Sequence, residues 1–248
     1  MKRFLCLILF LLCGCANMPS SRQMRYQTIT TDNLRLAMWV KNPHPDKKLR
    51  IYIEGDASSR LFSNHGVVSN PVAFKMAEKD SYPNTVYLSR PCYYIDQDIC
   101  QEIIWKEGRF MPEIIEEMNK IIERLRKRYR PTEIELIGHD GGGTIALLLA
   151  TRIKSMPVKV ITFAGILNTE LYALYREEVF HPESLNPANE VYMLSNIPQV
   201  HYIGGKDTVY PNSFSVEFIK KIPNPVSAQL KRVRGANHTN WADFNLQY

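Results

Sequence analysis

Three polar residues stand in turns whose composition suits hydrolytic chemistry. Gly138-His139-Asp140-Gly141-Gly142-Gly143 lies between a short apolar run and a longer one, so it reads as a strand-to-helix turn. Small residues two before and two after Asp140 permit a sharp bend that lifts its side chain above a sheet. Asp207 ends the run Val200–Ile203 in Gly204-Gly205-Lys206-Asp207, and His238 follows Ala228–Val233 in Gly235-Ala236-Asn237-His238. Each residue alone is ordinary, since a turn Asp usually caps a helix and a loop His is usually exposed. Together, Asp140, Asp207 and His238 supply a candidate nucleophile, an orienting acid and a base, in that chain order. The segment Glu54-Gly55-Asp56-Ala57 ends a further apolar run. The Asp56 and Gly141 backbone N–H groups are the candidate donors of an oxyanion hole. A phosphate-cradling loop competes for the glycine-rich turn. Its spacing is neither GxGxxG nor GxxxxGK[ST], and Asp140 would repel an anion.

The elements that must carry these turns alternate between strand and helix. Tyr26–Thr30 and Leu34–Val40 read as an early strand pair, followed by strands at Leu49–Ile53, Thr85–Leu88, Ile134–Ile137, Val158–Ala164, Val200–Ile203 and Ala228–Val233. Helices are expected at Pro71–Lys79 (Asn70 as cap, Pro71 as first residue), Pro112–Tyr129, Gly141–Ile153 and Pro211–Ile222. Pro112–Tyr129 carries Glu113, Glu116 and Glu117 early and Arg124, Arg126, Lys127 and Arg128 late, as the helix dipole favours. The basic end reads as a solvated terminus. Such alternation implies crossover connections, hence one α/β domain with a mostly parallel sheet covered on both faces.

The turn and the order of its partners resemble the nucleophile elbow of the α/β-hydrolase fold, with Asp140 where serine is usual. The chain is similar, over roughly residues 49–243, to a group of bacterial α/β-hydrolase lipoproteins. The resemblance rests on Ile53-Glu54-Gly55-Asp56, Arg90-Pro91-Cys92 with Cys100, Ser184-Leu185-Asn186-Pro187-Ala188, Gly204 to Asp207, and His238 with Trp241. It implies the α/β-hydrolase fold with a short lid at about 168–197. Gly-His-Asp-x-Gly-Gly also looks like the elbow of epoxide hydrolases and haloalkane dehalogenases. Those enzymes have His-Gly-x-Pro where this chain has Glu54-Gly55-Asp56-Ala57, and they carry a large cap. Tyr172, Tyr175 and Tyr192 are the lid's possible hydrogen-bond donors, although lid packing explains them equally, and Trp105 hints at a pocket.

The amino terminus reads as an address. Lys2-Arg3 precedes an apolar run, Phe4–Cys13, of ten residues, half the ~20 that a bilayer-spanning helix needs. Leu12-Cys13-Gly14-Cys15 resembles the bacterial lipobox. The expectation is a signal peptide over 1–14, lipidation (palmitate) of Cys15, a tether over 15–25 and one domain over 26–248. Ala16 after the cysteine favours the outer membrane, facing the periplasm. Cys92 and Cys100 remain as an even pair in an oxidising compartment and are expected to form a disulfide.

Composition sets the outer bounds. With 248 residues, 45% hydrophobic and 23% charged, the chain is neither disordered, collagen-like nor a disulfide-dense miniprotein. The formal charge of +6 falls to +4 without Lys2 and Arg3, weak grounds for a nucleic-acid partner, and none is expected. No metal or other cofactor is expected, as His44, His65, His181 and His201 lack paired ligand spacing. The expected partners are a small-molecule substrate and, through the lipid, a membrane. Three readings of the site stand: a hydrolase with an Asp nucleophile and His-activated water, an inactive homologue that binds a ligand or partner, and an unrelated hydrolytic route in which Asp140 is a general base or electrostatic element.

Overall fold

The computed structural model describes residues 18–56, 68–224 and 226–246. The signal segment 1–14, Cys15 and Ala57 lie outside the described residues. Eight strands, β1 (Arg25–Thr30), β2 (Arg35–Val40), β3 (Leu49–Ile53), β4 (Thr85–Leu88), β5 (Ile134–His139), β6 (Val158–Phe163), β7 (Gln199–Gly204) and β8 (Ala228–Val233), form one sheet. Its order is β1-β2-β4-β3-β5-β6-β7-β8. From β4 to β8 every pairing is parallel, and the β1–β2 hairpin joins β4 antiparallel.

The sheet is covered on both faces, as parallel strands require. One face packs α3 (Pro112–Tyr129), α4 (Gly141–Ala150) and α7 (Asn212–Lys221) over Ile51, Leu136 and Val160. α3 turns its Ile115, Met118, Ile122 and Leu125 inward. The other face packs α1 (Val72–Lys79) against an aromatic layer of Trp39, Tyr52, Tyr87 and Phe163. α4 is buried along its whole length, so it shows no polar face.

Local signals misplace several helix ends: the expected Pro211–Ile222 is Asn212–Lys221 with both flanking residues as caps, and larger departures occur at α1 and α4. Asn70 does not cap α1: it accepts from Lys75 Nζ at 2.6 Å, and Pro71 is the cap residue rather than the first helical one. The first-turn amides of α1 point at the sheet instead, where Glu54 at the end of β3 accepts from Ala73 and Phe74 N–H at 3.2 and 3.3 Å. A buried carboxylate from a distant strand thus replaces the neighbouring polar residue. α4 stops at Ala150, not Ile153. Thr151 and Arg152 turn to Glu190, with Thr151 Oγ1 donating at 2.6 Å and the Arg152 guanidinium at 3.1 Å.

Between β6 and β7 lie α5 (Thr169–Arg176) and the short α6 (Val191–Leu194), within the segment expected as a lid. The loop after β4 contains the Cys92–Cys100 disulfide, with Cα atoms 5.4 Å apart, followed by α2 (Glu102–Trp105). Closing so short a loop should stabilise the fold by roughly 2–3 kcal/mol in the chain-entropy model. Reduction should therefore lower the melting temperature by about 5–10 °C for a domain of this size. Calorimetry with and without reductant checks this, and an unchanged midpoint would show that packing alone holds the loop.

Candidate active site

Asp140 occupies the junction of β5 and α4 with φ 52° and ψ −126°. That backbone region costs a non-glycine residue about 1–3 kcal/mol. Its surroundings hold it there: Asp140 N–H donates to Phe163 O at 3.1 Å, and Asp140 O accepts from Gly143 and Ile166 N–H at 2.9 and 3.1 Å. The bend also needs glycine on both sides. A Cβ on Gly138 would lie 2.2 Å from Gly142 O, and one on Gly142 would lie 2.3 Å from Ile53 O.

The three candidate side chains meet at the carboxyl edge of the sheet. His238 Nδ1 lies 3.0 Å from Asp207 Oδ2, and its Nε2 lies 3.4 Å from Asp140 Oδ1. Asp207 is itself oriented by Val209 and Tyr210 N–H, which donate to Oδ1 at 2.9 and 3.3 Å. The two oxygens of Asp140 differ. Oδ2 accepts from Asp56 N–H at 2.9 Å, whereas Oδ1 is buried without a hydrogen bond, the approach of His238 being long for one. Of the two candidate oxyanion donors, Asp56 therefore points at the carboxylate of Asp140. The Gly141 amide, at the start of α4, takes no acceptor among the described residues.

Burial pushes the Asp140 carboxyl up and the His238 imidazole down, but the pairing outweighs both. Contact with His238, and less with His139 and Asp56 N–H, holds Asp140 well below the usual carboxylate range. Asp140 and Asp207 on either side raise His238, so at neutral pH it is an imidazolium with an N–H toward each carboxylate.

His139 is a neighbour that sequence reasoning missed, although it adjoins Asp140 in the motif. Its Nε2 is 2.7 Å from His238 O, and burial plus the His238 charge lower its pKa to about 4. The neutral ring donates from Nε2 and fixes the backbone of His238. His201, wholly buried between Thr162 Oγ1 and Gln199 Oε1, is lowered by burial to about 3. Both groups titrate near 6.5 when unfolded. Stability they contribute is thus present above about pH 6.5 and is lost as pH falls toward their folded pKa values. Below that window each site reaches about 3–5 kcal/mol of cost. NMR should find both imidazoles neutral at pH 5.0 in the folded protein, while urea stability declines from pH 7 to pH 5. Protonated rings at pH 5.0 would refute the assignment.

Four further residues surround the site without having been anticipated there. Glu54, wholly buried, accepts from Gly55, Ala73 and Phe74 N–H and from Tyr87 OH at 2.9–3.3 Å. The side chain of Asp56 is ion-paired with buried Arg90 and with Arg109, whose Nε lies 2.9 Å away without hydrogen-bond alignment. Arg109 reaches on to Glu178 at 3.0 Å. Glu54 and Arg90 lay inside quoted motifs, but only the fold brings their partners near. Asp56, Trp105, Arg109, Tyr172 and Glu178 line a cavity of about 450 Å³. Of the lid tyrosines, Tyr172 alone is buried against this site, while Tyr175 and Tyr192 are exposed. Trp241 packs on Phe163 at 5.4 Å. Among the described residues no three His, Cys, Asp or Glu side chains are placed to hold a metal ion.

Strand order, the strained turn after β5 and residues after β7 and β8 meeting it define the α/β-hydrolase fold. Solved structures of that fold superpose on this chain. An acylaminoacyl peptidase from Pyrococcus horikoshii matches with TM-score 0.64 and 14% identity over 88% of this chain, which spans 37% of the peptidase. A Pyrococcus furiosus esterase matches with TM-score 0.58 and 16% identity, covering 87% of this chain and 83% of the esterase. An alpha-beta serine hydrolase homologue from Coxiella burnetii matches with TM-score 0.58 and 17% identity, covering 87% and 89%. No protein-family model matches the chain, and no curated protein matches it.

Proposed function

We propose that the protein is an exported hydrolase, anchored to the outer membrane through lipid on Cys15, that cleaves a small electrophile with Asp140 as nucleophile. The observation that carries this reading is the unequal environment of the Asp140 carboxylate: Oδ2 is held by Asp56 N–H, whereas Oδ1 faces His238 at 3.4 Å without a hydrogen bond. A carboxylate attacking an ester carbonyl gives an anhydride, a poor route to cleavage. Attack on a tetrahedral carbon is productive. Oδ1 forms a C–O bond as the carbon–halogen or epoxide C–O bond breaks, leaving an alkyl ester on Asp140 and a halide or alkoxide. An alkoxide takes its proton from Tyr172, a phenol that burial and the nearby Asp140 and Asp56 charges keep protonated.

Ester formation removes the negative charge beside His238. One of the two carboxylates that raise its pKa is gone, so the imidazolium releases its proton, to the Tyr172 phenolate after epoxide opening or to solvent after halide loss, and becomes a base. Neutral His238, oriented by Asp207, then takes a proton from water attacking Cγ of the ester. The tetrahedral oxyanion develops on Oδ2, already bonded to Asp56 N–H; collapse expels the alcohol with the proton from His238, and the Asp140 carboxyl then returns its own proton to His238 to restore the ion pair. A general-base role for Asp140 fits less well, because a carboxylate held below its usual range accepts protons poorly.

Single turnover in 18O-water tests the proposal with panels of alkyl halides and epoxides. One heavy oxygen should enter the Asp140 peptide, and His238→Gln should accumulate the alkyl adduct. A substrate cleaved without label in Asp140 would overturn the nucleophile. Absence of turnover and adduct with every panel member would favour a ligand-binding homologue.

A further inference from the structure

One group of cations outside the site stands at one edge of the sheet. Strand direction gives the domain two ends: the carboxyl ends of β3, β5, β7 and β8 lead into the site, and the opposite edge holds their amino ends. At that amino edge stand Arg25, Lys47, Lys127, Arg128, Arg130 and Lys154. All six are exposed, and among the described residues none has a carboxylate partner. Lys127 and Arg130 also line, with Arg126 and Ser155, a recess of about 230 Å³. The carboxylates nearby are few. Glu123 is paired to Arg126, Glu135 to Lys48, Arg50 and Lys159, and Asp80 to Arg50, leaving Asp46, Glu78 and Glu133. At the other end charges of both signs mix, with Glu107, Glu177 and Glu178 beside Lys106 and Arg109 at the cavity.

The chain enters the domain at the basic end. Arg25 begins β1 opposite Val40, beside the amino ends of β3 and β4, and both Arg25 and Arg128 act electrostatically on the Tyr129 hydroxyl. The ten residues from Cys15 to Arg25 reach at most ~35 Å when extended. A lipid on Cys15 would hold this edge, rather than the cavity end, next to a bilayer.

We propose that the Arg25–Lys47–Lys127–Arg128–Arg130–Lys154 face docks on an anionic phospholipid surface, turning the Asp140 site away from the membrane. The orientation rests on the Cys15 anchor; the affinity of the face does not. Acyl chains on Cys15 would supply the attachment, and a basic patch beside an anionic surface adds about 1 kcal/mol per cation and sets the orientation.

Vesicle flotation of the protein without residues 1–15, which carries neither the signal segment nor the lipid, isolates the face from the anchor. Retention should be at least tenfold greater on phosphatidylglycerol vesicles than on phosphatidylcholine, and 0.5 M salt should erase the difference. Lys127→Glu/Arg128→Glu/Arg130→Glu/Lys154→Glu should lose it too, while Lys231→Glu/Arg232→Glu on β8 should keep most of it, with circular dichroism reporting folding of each. Equal retention on both vesicles, or undiminished binding by the fourfold variant, overturns the proposal. Displacement by millimolar inorganic phosphate, or tighter binding to duplex DNA, overturns it in favour of those ligands. The anchor is read separately: Cys15→Ser should release the protein from cell membranes in high salt, and unchanged partitioning there rejects the anchor without touching the vesicle result.

Discussion

Asp140→Ser should create a slow esterase active on small p-nitrophenyl esters and abolish any alkyl transfer. In the native site Asp56 N–H is taken by Asp140 Oδ2, so a substrate carbonyl finds that donor occupied. Serine lacks the second oxygen and frees the donor beside the open Gly141 amide. One such donor is worth about 10²–10³ in kcat. The substitution also removes a carboxylate from His238, whose pKa should fall toward the ordinary imidazole range and leave neutral base at pH 8. Activity should therefore rise with pH through that value and vanish on adding His238→Ala. Asp140→Asn should show neither reaction, since a carboxamide is a poor nucleophile. A folded Asp140→Ser protein no faster than Asp140→Ala would mean that Asp56 and Gly141 do not form an oxyanion hole.

Glu54→Ala should destabilise the fold by about 3–5 kcal/mol, because each buried donor left without an acceptor costs about 1–3 kcal/mol. It strips the acceptor from three backbone amides and the Tyr87 hydroxyl, all within the interior. Domains of ordinary stability have only ~5–15 kcal/mol in all. Glu54→Gln keeps the shape and one acceptor oxygen but turns an NH₂ toward donors, so its cost should fall between. Urea unfolding at pH 7 measures both. A loss under about 1 kcal/mol in the alanine variant would show that water or Tyr87 satisfies α1 without the carboxylate. Because Glu54 and Asp56 flank Gly55, the NMR amide shift of Asp56 should move in both variants, linking the α1 cap to the donor on Asp140.

Much of this architecture was legible in the order of the residues. Ile134–Ile137 lies in β5, and the expected Val158–Ala164 forms β6 up to Phe163, because buried parallel strands need continuous apolar segments between turns. The elbow was legible because only glycine tolerates the backbone approaches at Gly138 and Gly142, and that requirement leaves its mark at fixed spacing around Asp140. Asp207 and His238 could be located for a related reason: each follows a strand that ends in a glycine-containing turn.

What the sequence could not reveal were contacts between residues distant along the chain. Asn70 looked like the cap of α1, but the tertiary structure brings Glu54 to those amides, and a buried carboxylate outcompetes an exposed amide. Arg90 and Arg109 become partners of Asp56 only when the disulfide loop and the segment before α3 fold against the end of β3. Tyr172 was separated from Tyr175 and Tyr192 by the face of α5 and the placement of α6, since burial depends on what packs above the lid. The division of Asp140 into a bonded and an unbonded oxygen likewise required coordinates. Spacing encodes where a backbone can bend; the direction from which Asp56 and His238 approach that carboxylate is set by the packing of β3, β5 and the loop after β8 around it.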